Sequence, residues 1–180
     1  MKTITPEYAR LNQQLHATRE DYGCKSRRHI SRVMALRKLY DCQSILDYGC
    51  GKGSLVKEIQ QTCAGLPVQG YDPGHPDFTA PPEPADLLVC TDVLEHIEPD
   101  LVTNVLQDIQ RLSRKAAFFV IALREDSSKL LPDGTNPHKV VQDIGDWLSD
   151  MSDAWGKKGW EATIHDYTPD KQVSLSVKWL

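Results

Sequence analysis

No apolar run in this chain approaches the roughly eighteen residues that a membrane-spanning helix needs. The opening stretch MKTITPEYAR also has no apolar core of the signal-peptide kind, so a soluble, cytoplasmic protein without membrane contact is expected. Surplus positive charge is missing too. Lys and Arg number 21 against 25 Asp and Glu, and the formal net charge of −4 argues against a surface that coats nucleic acid all over. The five cysteines (Cys24, Cys42, Cys50, Cys63, Cys90) are odd in number and form no C-x-x-C pair, so a disulfide framework is not expected. They read as reduced, mostly buried small side chains. The length of 180 residues suits one domain with its own core, spanning 1–180. Within it, 1–42 reads as an N-terminal helical cover and 43–180 as the core.

What the chain does have is Ser44 to Leu55, SILDYGCGKGSL, around which the rest is arranged. A short apolar run ends in Asp47, and Gly49, Gly51 and Gly53 follow at every second position before a helical segment. A buried strand turning sharply into a helix needs residues that tolerate positive φ and leave the backbone bare for a ligand. Dinucleotide proteins answer that need with G-x-G-x-x-G, the acidic residue lying at the end of the next strand. Here the third glycine comes one place early, and Asp47 stands two residues before the first. A carboxylate there repels pyrophosphate and can pair with an ammonium group. The stretch resembles motif I of the class I S-adenosylmethionine-dependent methyltransferases, a hydrophobic pair followed by D/E-x-G-x-G-x-G. The resemblance implies S-adenosyl-L-methionine as cofactor, with Asp47, Tyr48, Gly49, Gly51 and Gly53 around its methionine part.

The other elements follow from pattern. Thr5-Pro6-Glu7 signals a helix start, with Tyr8, Leu11 and Leu15 on one stripe. Ser26 can cap a second helix through Ile30, Val33, Met34, Leu36 and Leu39. Between Tyr22 and Tyr40 lie six basic residues (Lys25, Arg27, Arg28, Arg32, Arg37, Lys38) and no acidic one. They form either a solvated helix face or a surface for a phosphate-bearing substrate. Val68 to Asp72 reads as a second strand, and Asp72 closes it 25 residues after Asp47, where a nucleotide fold places the carboxylate for a ribose. Pro73 follows it.

From Gly74 to Pro84 the eleven residues GHPDFTAPPEP include four prolines, so the helix and third strand usual there do not fit, and Phe78 becomes the candidate cover for the adenine. Ala85 to Thr91 and Ala116 to Leu123 read as strands buried on both faces. A polar loop, Arg124 to Pro137, leads to a helix expected from His138 to Trp155. Glu161 to Tyr167 and Gln172 to Trp179 are joined too closely for anything but an antiparallel hairpin. The expected fold is therefore α/β: a Rossmann-like, doubly wound, mostly parallel sheet with an antiparallel C-terminal hairpin, a missing or degenerate third strand and added N-terminal helices.

Ligands of open α/β sheets sit beyond the carboxyl ends of the strands, so Thr91, Asp92 and Val93 should face the same crevice as the glycine turn. If Asp92, Glu95 and His96 are helical, their spacing puts them on one face. The segment resembles the Leu-Glu-His stretch of methyltransferases that include ubiquinone-biosynthesis O-methyltransferases, where it can stiffen the loop. His138 or His96 can serve as a general base. Small-RNA 2′-O-methyltransferases are similar in having E-x-x-E-H and a further His, which together bind Mg²⁺-type ions. Here Asp92 replaces the first Glu with a shorter side chain. Tyr22-Gly23, TAPPEPAD, CTDVLEHIEP and LPDGTNPH further resemble a compact bacterial and phage group of the methyltransferase type 11/23 kind.

The resemblance implies transfer of a methyl group to an O or N acceptor, a small molecule being favoured over nucleic acid. Two alternatives stay open. One is a nucleic-acid methyltransferase acting on a terminal ribose or base, with a divalent metal at Asp92, Glu95, His96 and His138. The other is a non-catalytic S-adenosylmethionine-binding partner protein. Oligomeric state is open.

Overall fold

The computed structural model describes residues 1–126, 130–157 and 159–180. Part of the expected polar loop, residues 127–129, therefore lies outside the described residues. Two helices come first, α1 (Pro6–Thr18) and α2 (Ile30–Leu39). Pro6 sits at the first turn of α1, and the Thr5 hydroxyl accepts from the N–H of Tyr8, as the start signal required.

The core then alternates β1 (Ile45–Tyr48), α3 (Ser54–Thr62), β2 (Val68–Tyr71), β3 (Ala85–Thr91), α4 (Val102–Leu112) and β4 (Ser113–Ala122). It ends with α5 (Ile144–Trp155), β5 (Trp160–Thr168) and β6 (Gln172–Trp179). The sheet order is β2-β1-β3-β4-β6-β5. β1 pairs in parallel with β2 and β3, and β3 with β4, while β6 runs antiparallel to both β4 and β5.

Strand periodicity divides the core into two layers. Leu46, Leu88, Ala117, Phe119, Leu175 and Val177 face α4 and α5, where Trp147 and Met151 are fully buried. Ile45, Leu87, Val89, Phe118 and Val120 face α2 and α3. The outer strand, expected to be missing or degenerate, is not found among the described residues, and β2 lies at the sheet edge. In its place the proline-rich loop makes one 3₁₀ turn, Pro76–Phe78, and is fastened back by Gln69, whose amide bonds the backbone of Glu83 in both directions. That amide pair occupies polar groups along an edge that would otherwise invite another strand.

Three boundaries differ from expectation. β4 begins at Ser113 rather than Ala116, because Arg114 and Lys115 keep strand geometry while their charged ends reach Asp86 at 4.0 and 3.5 Å. α5 begins at Ile144 rather than His138: the N–H groups of Lys139 and Val140 both donate to the Glu95 carbonyl, which pulls that stretch out straight, and Asp143 caps the helix on Asp146 N. The Asp92–His96 stretch is not an α-helix; only Leu94–His96 forms a 3₁₀ turn. No helix among the described residues is long and apolar enough to cross a membrane. The cysteines are free thiols, with Cys42, Cys50 and Cys90 buried.

Candidate active site

Beyond the carboxyl ends of β1, β3 and β4 lies a cavity of about 580 Å³. Its floor is the glycine turn. A Cβ on Gly49 would stand 2.3 Å from Cγ2 of Val93, and one on Gly51 would stand 2.5 Å from the carbonyl oxygen of Gly23, with φ at +77° and +53°. Both positions therefore demand glycine. Asp47 lies sealed beneath the turn, 1% exposed, and neither carboxylate oxygen has a hydrogen-bond partner among the described residues. Burial, then the nearby Asp72, pushes its carboxyl up to about 7. Asp72 stands in the wall, and its two oxygens accept from the N–H groups of Gly51 and Gly74, both at 2.8 Å. Burial raises its pKa and those two bonds oppose the rise.

Asp92 holds φ +56°, which an Asp tolerates better than most side chains. It turns away from the neighbouring Glu-His pair to meet Arg28, Nη2 to Oδ2 at 2.8 Å. The expected common face of Asp92, Glu95 and His96 is thus not formed. Glu95, His96 and His138 do converge, one donor atom of each lying within 4.8 Å of the others. Glu95 is fully buried: Oε1 accepts from Ala122 N at 3.1 Å, and Oε2 has no hydrogen-bond partner among the described residues. Burial, then Asp92, pushes it up to about 8. Nδ1 of His96 meets the Pro137 carbonyl at 3.0 Å, and Nδ1 of His138 meets that of Arg124. A carbonyl only accepts, so each Nδ1 carries the proton and each Nε2 the lone pair in the neutral ring. The two rings meet edge to face at 4.8 Å.

A family model described as a methyltransferase domain matches residues 9–167. This chain belongs to the methyltransferase domain family. Solved structures of similar fold include magnesium protoporphyrin IX methyltransferase from Synechocystis PCC 6803 with bound SAM (14% identity, 100% of each chain covered, TM-score 0.60). The plantazolicin methyltransferase BpumL with SAH is similar at 10% identity, 96% of each chain and a TM-score of 0.62. The small RNA methyltransferase HEN1 matches at 13% identity and a TM-score of 0.61, covering 86% of this chain and 25% of that one. No curated protein sequence matches.

In this methyltransferase Tyr48, Gly49, Gly51, Asp72, Pro73, Thr91, Asp92, Val93, His96 and His138 all border the cavity. Asp47 and Gly53 do not. The Phe78 ring packs on Gly53, 2.6 Å from where its Cβ would be, and against Gly70, so Phe78 supports the turn from behind and is no cover for a ligand in the cavity. Cover is supplied by α1, which lies within the stretch expected to be an N-terminal helical cover. Tyr8, Asn12 and His16 recur at i, i+4 and i+8 and line the cavity. Asn12 and His16, at helical spacing from Tyr8 and beside Leu11 and Leu15, are the signal in the sequence for this lining. The cover is pinned by Thr5 to Glu98, Tyr8 to the Pro137 carbonyl, Lys52 N to Gly23 O and Ser26 to Ser54.

Proposed function

We propose that this protein moves a methyl group from S-adenosylmethionine to an oxygen or nitrogen atom of a small molecule. The observation that carries the reading is the partly enclosed cavity, with bare glycine backbone over a sealed carboxylate at one side and two histidines of fixed tautomer at the other. Its size is that of a small-molecule site. When bound, S-adenosylmethionine supplies an electrophilic methyl on a cationic sulfur, flanked by an amino-acid head and an adenosine. The residues present fit it. A buried carboxylate without a partner is costly, and a cation above the glycine turn offsets that cost. Each Asp72 oxygen, already holding one N–H, keeps a lone pair for a ribose hydroxyl. Tyr48, Pro73, Thr91 and Val93 complete the wall, and Gly53 acts by letting Phe78 brace the turn. His138 accepts the acceptor's proton at Nε2, with His96 steadying it through the ring contact.

Calorimetry with S-adenosylmethionine and its demethylated product tests this. Both should bind, and Asp72→Ala should weaken each by about tenfold or more; failure of either to bind overturns the proposal. Binding without transfer of labelled methyl to any host extract would favour a non-catalytic binding protein.

A second reading is favoured by Glu95 Oε2, a buried oxygen with no hydrogen-bond partner among the described residues, beside two imidazoles. Glu95, His96 and His138 would hold a divalent ion, one able to grip vicinal hydroxyls such as a terminal ribose. Two imidazoles and one carboxylate suit Mn²⁺, Fe²⁺ or Zn²⁺ better than Mg²⁺. Asp92, committed to Arg28, lies outside that set. Stoichiometric Mn²⁺ uptake lost in Glu95→Gln supports this reading; no uptake excludes it.

A further inference from the structure

A second chamber of about 470 Å³ lies between α2 and the open face of β4, β5 and β6, and it shares Arg28 and Gln172 with the cofactor cavity. On the sheet side the chamber is bordered by Phe118 of β4 and by Ser174 of β6, which is buried. The chamber's polar groups are unbalanced. Arg28 gives Nη2 to Asp92 and Nε to Nε2 of His29 at 2.9 Å, and its Nη1 makes no hydrogen bond among the described residues. Because an arginine N–H always donates, His29 accepts at Nε2 and carries its proton on Nδ1 as a further donor.

Arg32 reaches Asp166 only at 3.5 Å, longer than a charge-assisted hydrogen bond, and Asp166 already accepts from Ser174 at 3.2 Å. The Ser31 hydroxyl has no partner among the described residues. Arg28, His29, Ser31 and Arg32 thus line one space together, and its carboxylate, Asp166, already accepts from Ser174. Asp166 is 76% exposed and can leave Arg32 for water at little cost.

We propose that this chamber binds an anionic oxygen group, a phosphate or carboxylate, of the methyl acceptor, and that Arg28 and Arg32 hold it there. The acceptor is then a small anionic molecule that spans the wall at Arg28, its reacting atom near His138 and its anion under α2. This rests on the cofactor reading of the larger cavity, but the anion site can be tested without it.

The probe is inorganic pyrophosphate, titrated by calorimetry into the full chain with and without the demethylated cofactor. The wild type should bind it. Arg32→Gln should weaken that binding by about tenfold, Arg32→Lys less, with cofactor affinity unchanged in both. Arg32 is 43% exposed, so neither change should unfold the chain. As a second measurement, the His29 ring resonances should move on titration. Absence of pyrophosphate binding to the wild type, or equal binding by Arg32→Gln, overturns the proposal. So does a single-stranded oligonucleotide that binds far more tightly than pyrophosphate with steep salt dependence, because the occupant is then a nucleic-acid backbone. Pyrophosphate binding that depends on Arg32, in a protein that ignores the cofactor, upholds the anion site and overturns the methyltransferase reading instead.

Discussion

Asp47 and Glu95 are carboxyls held where water cannot reach them, and their energetic signature is a dependence on pH. Each has a folded-state pKa above its unfolded value, about 7 and about 8 against ordinary values of 3.8 and 4.5. The native state therefore binds more protons than the unfolded state from about pH 4 upward, and stability falls as pH rises through that window. The slope is at most about 1.4 kcal/mol per pH unit for each group. Urea unfolding of the ligand-free protein should show the decline between about pH 7 and 8, above the range in which the buried His16 acts with the opposite sign, and Asp47→Asn should flatten it and be the more stable form at pH 8. A wild type that gains stability over this range would show that the two carboxyls ionise freely.

At the other end of the cavity, His138→Gln should cut transfer of labelled methyl to a host extract by roughly a hundredfold while leaving cofactor affinity intact. A loss of affinity instead would make His138 a scaffold residue. Most of these residues were legible because their spacing along one strand-turn-helix unit is dictated by backbone geometry. The partner of Asp92 was not, since Arg28 lies 64 positions away and only the folded chain brings the two together.

The glycine turn, its flanking strands and the C-terminal hairpin were readable as elements, because buried parallel strands and short reversals each leave a local pattern. The fastening of the cover was not. What α1 and the segment after it do depends on contacts with residues far along the chain, which no local pattern encodes. Gly23 is the point where the cover meets the turn. It has φ +69°, and a Cβ there would stand 2.4 Å from Cε1 of His16. His16 is buried, with its imidazole driven down to about 4 chiefly by burial, so it is neutral and its ring is wedged between Tyr22 and His75 at 4.8 and 5.1 Å. Gly23→Ala should therefore cost about 1–3 kcal/mol through the left-handed backbone, plus the displacement of His16. Hydrogen exchange should quicken in residues 16–26 and leave β3 and β4 unaffected. Unchanged exchange in 16–26 would mean that the cover is not fastened at Gly23.

At the scale of the molecule, segments from both ends of the sequence meet beyond the carboxyl ends of the central strands, so ligand binding and folding are coupled. A ligand at a hundred times its dissociation constant stabilises the native state by about 2.7 kcal/mol, which for a chain of this size raises the unfolding midpoint by roughly 5–10 °C. S-adenosylmethionine adds a sign to that expectation. Below about pH 7 Asp47 keeps its proton in the ligand-free protein, and a cation above the glycine turn must first expel it, so affinity should climb by up to about tenfold per pH unit toward neutrality. The midpoint shift should consequently be larger at pH 8 than at pH 6, and Asp47→Asn should abolish the difference. An equal shift at both values in the wild type would show that the buried carboxylate does not sense the ligand, and the electrostatic reason for preferring a cationic donor at this turn would go with it.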